Sequence, residues 1–164
     1  MPFVRIGPAV RDAASSRLIR GPGFQGEQGV SARILIVEDE MLVAADMEAT
    51  IEDLGHVCTG IAPDLQAATA LAAADPDIAL VDLNLRDGAT GAEIGAMLSR
   101  RGIAVIFVTA NPRMLGNGVP GTLGVITKPC DEAAVDQVIA YAIGCRKGER
   151  LVPPEGFRTF SPSA

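Results

Sequence analysis

The stretch Ala79-Leu80-Val81-Asp82-Leu83-Asn84-Leu85 constrains the chain more than any other. Residues 78–81 are all apolar and run straight into a carboxylate, and Arg86-Asp87-Gly88 then breaks the pattern. A short apolar run closed by a turn signal marks a parallel strand buried on both faces. Asp82 is therefore expected at the carboxyl end of a central strand, where open α/β sheets place their chemistry. A carboxylate in that position is costly unless it meets a cation or serves as a nucleophile.

The chain around this strand alternates in the same way. Ile34-Leu35-Ile36-Val37 reads as a buried strand ending in Glu38-Asp39-Glu40, and Val43, Met47, Ile51 and Leu54 then share one helical face that stops at Gly55. Residues 56–61 read as a second, more polar strand at a sheet edge, followed by an Ala-rich helix over 63–74. After the Asp82 strand the pattern predicts a helix over 92–101 with Ile94, Met97 and Leu98 inward, then a strand over 104–108 ending in Thr109. Gly116, Gly118, Gly121 and Pro120 leave the next helix short or frayed. Residues 123–126 form the fifth expected strand, leading into Thr127-Lys128-Pro129. Asp131 is the expected N-cap of a last helix with Val135, Val138, Ile139 and Ala142 on one face. Five strand–helix alternations imply an α/β fold, a doubly wound five-stranded parallel sheet of the (βα)5 flavodoxin-like kind with strand order 2-1-3-4-5.

The expected organisation is a flexible N-terminal extension over residues 1–31, one domain over 32–147 and a disordered C-terminal tail over 148–164. The extension carries Pro2, Pro8 and Pro22 without helical or alternating periodicity, and it has no apolar core of a secretory signal. The tail holds Pro153, Pro154, Gly156 and Pro162 and is too short for an output domain. At 48% apolar and 4% aromatic residues, the core must be built from Ala, Val, Ile and Leu. A net charge of −6 argues against a nucleic-acid surface, and the apolar runs are all too short for a membrane span. Cys58, Cys130 and Cys145 form no CxxC pair, which points to a reducing cytoplasm.

Four strand ends carry polar groups: Glu38 and Asp39 after the first, Asp82 after the third, Thr109 after the fourth, Lys128 after the fifth. In a doubly wound sheet these ends converge on one crevice. Carboxylates gathered there repel unless a divalent cation holds them, and hard oxygen ligands favour Mg2+. Lys128 and Thr109 then offer a positive charge and a hydroxyl to phosphoryl oxygens. The other polar candidates are plainer. His56 reads as a strand-edge residue, Cys130 as a passive helix-start thiol and Tyr141 as packing or interface surface.

This constellation resembles the response-regulator receiver domain over about residues 33–146. Glu38-Asp39 matches its acidic pair, Asp82 its phosphoacceptor, Thr109 its hydroxyl, Lys128-Pro129 its lysine–proline step and Gly88 its loop glycine. The resemblance implies that Asp39 ligates Mg2+ directly, Glu38 directly or through water, and Asn84 through its backbone carbonyl. It implies a cis Lys128-Pro129 bond, and a phosphoryl group passed to Asp82 from a histidine kinase or histidine phosphotransfer protein. Output would run through contact with an unidentified downstream protein. The only chemistry implied is self-catalysed phosphoryl transfer and autodephosphorylation, so the chain is not expected to be an enzyme.

Two positions depart from the family pattern. Val125 stands where receivers carry Tyr or Phe, and Arg86 where a proline is common. Phe107-Val108-Thr109 resembles a receiver subset with a Phe-x-Thr fourth strand, although Ala110-Asn111-Pro112 is not that subset's continuation. Without the aromatic, the moving element is expected to be residues 111–124, drawn by Thr109 toward the phosphoryl oxygens. Two alternatives remain. A haloacid-dehalogenase-type phosphatase needs an Asp where Asn84 stands, and it needs its acidic pair after the lysine strand rather than before the nucleophile. A degenerate receiver acting as a non-phosphorylated binding module is at odds with the complete polar set. A dinucleotide-binding domain fails for want of GxGxxG after the first strand.

Overall fold

The computed structural model describes residues 29–160; most of the expected N-terminal extension, and the last four residues of the tail, lie outside them. The elements are β1 (Arg33–Val37), α1 (Met41–Asp53), β2 (Val57–Ala62), α2 (Leu65–Leu71), β3 (Ile78–Val81), α3 (Gly91–Arg100), β4 (Ala104–Thr109), β5 (Gly124–Thr127), α4 (Glu132–Arg146) and β6 (Phe157–Thr159). The sheet order is β2-β1-β3-β4-β5-β6. The first five strands pair in parallel, in the 2-1-3-4-5 order the alternation predicts, with the polar strand β2 at one edge. No helix among the described residues is long and apolar enough to cross a membrane.

The strands explain their own burial. Successive side chains point to opposite faces, so each continuous apolar run feeds two cores. Leu35, Val37, Ala79, Val81, Val105 and Phe107 pack under α2 and α3 against Ala68, Ile94 and Leu98. Ile34, Ile36, Ile78, Leu80, Ile106 and Val108 pack under α1 and α4 against Ala44, Ile51, Val138 and Ile139. Helix starts follow their caps: Asp64 accepts the Ala67 N–H and Asp131 the Ala134 N–H, each at 2.8 Å.

Two expectations need correction. The link from β4 to β5 holds no α-helix, only a 3-10 turn at Pro112–Leu115. The glycines and prolines that weaken it leave too few consecutive residues to repay nucleation. The second correction concerns the tail. Phe157–Thr159 is a sixth strand, antiparallel to β5, so the sheet is mixed and six-stranded. Its anchors are aromatic. Phe157 meets the Tyr141 ring at 5.3 Å between centroids, and Phe160 meets Phe107 at 6.2 Å. Burying these rings supplies about 2–3 kcal/mol each, enough to order a short segment on an otherwise unpaired edge.

His56 has a defined role in the frame. Its Nδ1 accepts the Ala32 N–H at 3.1 Å, which requires an unprotonated nitrogen. Burial holds its pKa below the ordinary value of 6.5, against a weaker upward pull from Asp136. A histidine with a depressed folded pKa contributes stability above its unfolded value and loses it as pH falls through the folded one. Urea midpoints measured from pH 7.5 to 5.5 should therefore fall in the wild type and flatten in His56→Gln. Parallel curves would refute this.

Candidate functional site

The parallel ladder delivers every strand end to one rim. Val37 pairs with Val81, Val81 with Phe107, and Thr109 with Thr127. Backbone bonds continue past the strands: Glu38 N–H to Ala62 O at 3.0 Å, Asp82 N–H to Val37 O at 2.9 Å, and Lys128 N–H to Thr109 O at 2.9 Å. The residues after the strands are thus held as firmly as the strands themselves.

Lys128 is the centre of the site. Its Nζ donates to Glu38 Oε2 at 2.6 Å and to Asp82 Oδ2 at 3.1 Å. Asp82 Oδ1 accepts the Leu83 N–H at 2.7 Å, and Glu38 Oε1 accepts the Glu40 N–H at 3.1 Å. Glu38 is almost fully buried. That burial pushes its pKa above the ordinary value, although Lys128 and the Glu40 N–H pull it back. Burial alone would lower Lys128, but its hydrogen bonds to the Glu38 and Asp82 carboxylates outweigh it and leave the lysine above its ordinary value.

Thr109 is buried at the end of β4, and its Oγ1 accepts the Asn111 N–H at 3.1 Å. Asp39 lies half-buried beside Glu38, and Asn84 is exposed in the loop after Asp82. The Lys128-Pro129 bond is cis, as the resemblance implies. A shallow cleft between α1 and the strand ends reaches Asp82 and Lys128 over Ile36, Leu80 and Val108.

One expected grouping is absent. Among the described residues no three acidic, histidine or cysteine side chains converge as a metal cluster. The Lys128 ammonium instead separates Glu38 from Asp82, because a cation on the chain relieves the same repulsion that a metal would. Both Glu38 oxygens are engaged, one by Lys128 and one by backbone. The groups left for a cation are Asp82, Asp39 and the Asn84 carbonyl, a set of hard oxygens that fits Mg2+ with retained waters.

The sequence reading missed the staple on the loop after Asp82. Arg86 donates through Nε to Asp64 Oδ2 at 2.8 Å and pairs with the same oxygen through Nη2. Asp87 accepts the Leu65 N–H at 3.0 Å and the Thr90 hydroxyl at 2.6 Å. The start of α2 thus positions the turn closed by Leu85 and Gly88. The Asp64 carboxyl is held below its ordinary pKa, chiefly by the Ala67 N–H and then by Arg86. Asp64 and Arg86 lie far apart in sequence, so spacing could not reveal the pair. Burial pushes the Cys130 thiol pKa up, which disfavours the reactive thiolate.

Comparison with known proteins agrees with this geometry. The model of the response regulator receiver domain matches residues 34–140. The Phyllosphere-induced regulator PhyR of Methylorubrum extorquens is 36% identical over 137 residues, covering 81% of this chain and 51% of that protein. The transcriptional regulatory protein PdtaR of Mycobacterium tuberculosis is 32% identical over 93 residues, covering 55% of this chain and 44% of PdtaR. The chain therefore spans about half the length of these curated relatives. Among solved structures, the Erythrobacter litoralis PhyR receiver domain matches at a TM-score of 0.66 and 31% identity, covering 74% of this chain and 97% of that one. The Brucella abortus response regulator PhyR matches at 0.65 and 35%, covering 73% and 50%. Sheet order, strand-end residues and family match together place this chain in the response regulator receiver domain family.

Proposed function

We propose that this chain is a phosphoacceptor switch: Asp82 takes a phosphoryl group from the phosphohistidine of a kinase or phosphotransfer protein and signals by protein contact. The observation that carries this reading is the Lys128 ammonium on Asp82 Oδ2, with the Thr109 hydroxyl at the adjoining strand end. In the transfer, a carboxylate oxygen of Asp82 forms the O–P bond as the N–P bond breaks, and the leaving imidazole nitrogen takes the N–P electron pair while the ring's other nitrogen carries the proton that makes it a neutral leaving group. Lys128 offsets charge on the phosphoryl oxygens, and the Thr109 hydroxyl donates to one of them. Catalysis of this kind is positioning and charge stabilisation. Mg2+, held by Asp39, Asp82 and the Asn84 carbonyl, would supply further charge neutralisation. Hydrolysis of the acylphosphate resets the switch. A cytoplasmic setting belongs to the same reading and is supported by three free cysteines.

The likeness to PhyR supports a protein partner for output, since the Bartonella quintana relative is an anti-anti-sigma factor. The phosphatase alternative lacks an acid at Asn84 and gains no support from the geometry. Incubation with acetyl phosphate or phosphoramidate and Mg2+, followed by intact mass, tests the proposal. A single phosphate adduct is expected, abolished in Asp82→Asn and weakened at low Mg2+ in Asp39→Asn. Turnover of phosphomonoesters without an adduct would overturn it.

A further inference from the structure

The segment after α4 returns across the sheet and grips the loop that follows Thr109. Arg158 Nη1 donates to Gly116 O at 2.8 Å and Nη2 to Pro112 O at 2.9 Å. One planar guanidinium thereby holds both ends of the 3-10 turn at Pro112–Leu115. Phe160 packs in the same region: its N–H donates to Leu123 O at 3.0 Å, and Arg158 lies 5.2 Å over its ring. Gly118, with a φ of 107°, gives the ring its seat, because any Cβ there would collide with Phe160. Phe157, three residues earlier on the strand, packs on the opposite face of the sheet against Tyr141. The strand itself pairs only three residues with β5, and Arg158 and Thr159 are exposed.

We propose that residues 157–160 are a latch on the Thr109 loop, released when Asp82 is phosphorylated, and that its release opens the outer edge of β5. The inference rests on the phosphoacceptor reading above and specifies how that site is read out. The connection is short. Thr109 Oγ1 holds the Asn111 N–H, the next residue is Pro112, and the Pro112 carbonyl is held by Arg158. A Thr109 hydroxyl that turns to donate to a phosphoryl oxygen draws Asn111 and Pro112 with it. The guanidinium fork is rigid, so it satisfies the Pro112 and Gly116 carbonyls at one separation and loses one of them at another. A three-residue edge strand is also the kind of low-stability element that switches employ.

Hydrogen exchange of the full chain tests the latch, with and without beryllofluoride and Mg2+. Phosphoramidate treatment and intact mass are run in parallel to establish loading of Asp82. On loading, peptides covering residues 123–127 and 157–160 should exchange about five-fold faster or more, and Thr109→Ala, which gives up a phosphoryl contact and so needs more beryllofluoride to load, should lack that response once saturated. Arg158→Ala should exchange fast in both states. Because coupling between binding equilibria is reciprocal, it should also bind beryllofluoride more tightly by the same factor. Loading with unchanged exchange in these peptides would overturn the latch alone. No adduct on Asp82 would overturn the phosphoacceptor reading and, with it, the trigger. A fast-exchanging Arg158→Ala with wild-type beryllofluoride affinity would also overturn the coupling.

Discussion

Lys128→Met should cost about 2–4 kcal/mol of stability at pH 7.5 in EDTA, because it leaves the buried Glu38 carboxylate facing Asp82 with no cation between them. The figure lies toward the lower end for a broken buried pair, since the lysine side chain keeps 22% exposure. The pH dependence follows from the shifts. Glu38 has a raised folded pKa, which loss of the lysine raises further. A group so raised contributes stability below its unfolded value of 4.5 and loses it as pH rises through the folded one. The variant's deficit should therefore shrink on acidification and vanish below that unfolded value. At the other end, the raised Lys128 pKa means the wild type keeps its advantage below 10.5 and loses it as pH climbs through the folded pKa. Mg2+ should restore part of the deficit if it binds Asp82 and Asp39, by mass action on the folded state. Urea melts of both proteins across pH, with and without Mg2+, measure all of this. A variant as stable as wild type in EDTA at neutral pH would show that Lys128 does not compensate Glu38.

Gly91→Ala should be nearly as damaging, for a different reason. Gly91 opens α3 and donates its N–H to Leu83 O at 3.0 Å, which brings the helix start against the backbone just after β3. A Cβ there would run into the Asp82 carbonyl oxygen and the Leu83 Cα, neither of which can turn aside as a side-chain tip would. Overpacking against backbone costs about 3 kcal/mol, which in a domain of this size lowers the melting temperature by about 10 °C. The clash lies on the peptide carrying Asp82, so phosphorylation by a small donor should slow as well. Thermal melts and the intact-mass time course read the two effects separately. An unchanged melting temperature would mean that α3 can move away without cost.

Much of the frame was legible because its causes are local. The runs at 34–37, 78–81 and 104–108 are apolar without interruption, and only a strand covered on both faces uses such a run. The acidic pair, Asp82 and Thr109 follow their runs directly and Lys128 follows one residue later, so knowing the strands was enough to know that their ends share one rim. The polar run at 56–61 announced an edge by the same logic.

What the tertiary structure decided depends on partners distant along the chain. By composition the tail is prolines, glycine and charge, yet Phe157–Thr159 pairs with β5 because Tyr141 and Phe107 provide surfaces for its aromatics. Arg86 looked like a departure from a family proline, and only folding brings it to Asp64 at the start of α2. The three carboxylates were expected to share a metal, but the fold sets the Lys128 ammonium between two of them. Periodicity and residue type specify what a segment buries, since that follows from its own alternation. They do not specify which charge or ring meets it, since that is fixed by the crossing of segments far apart in sequence.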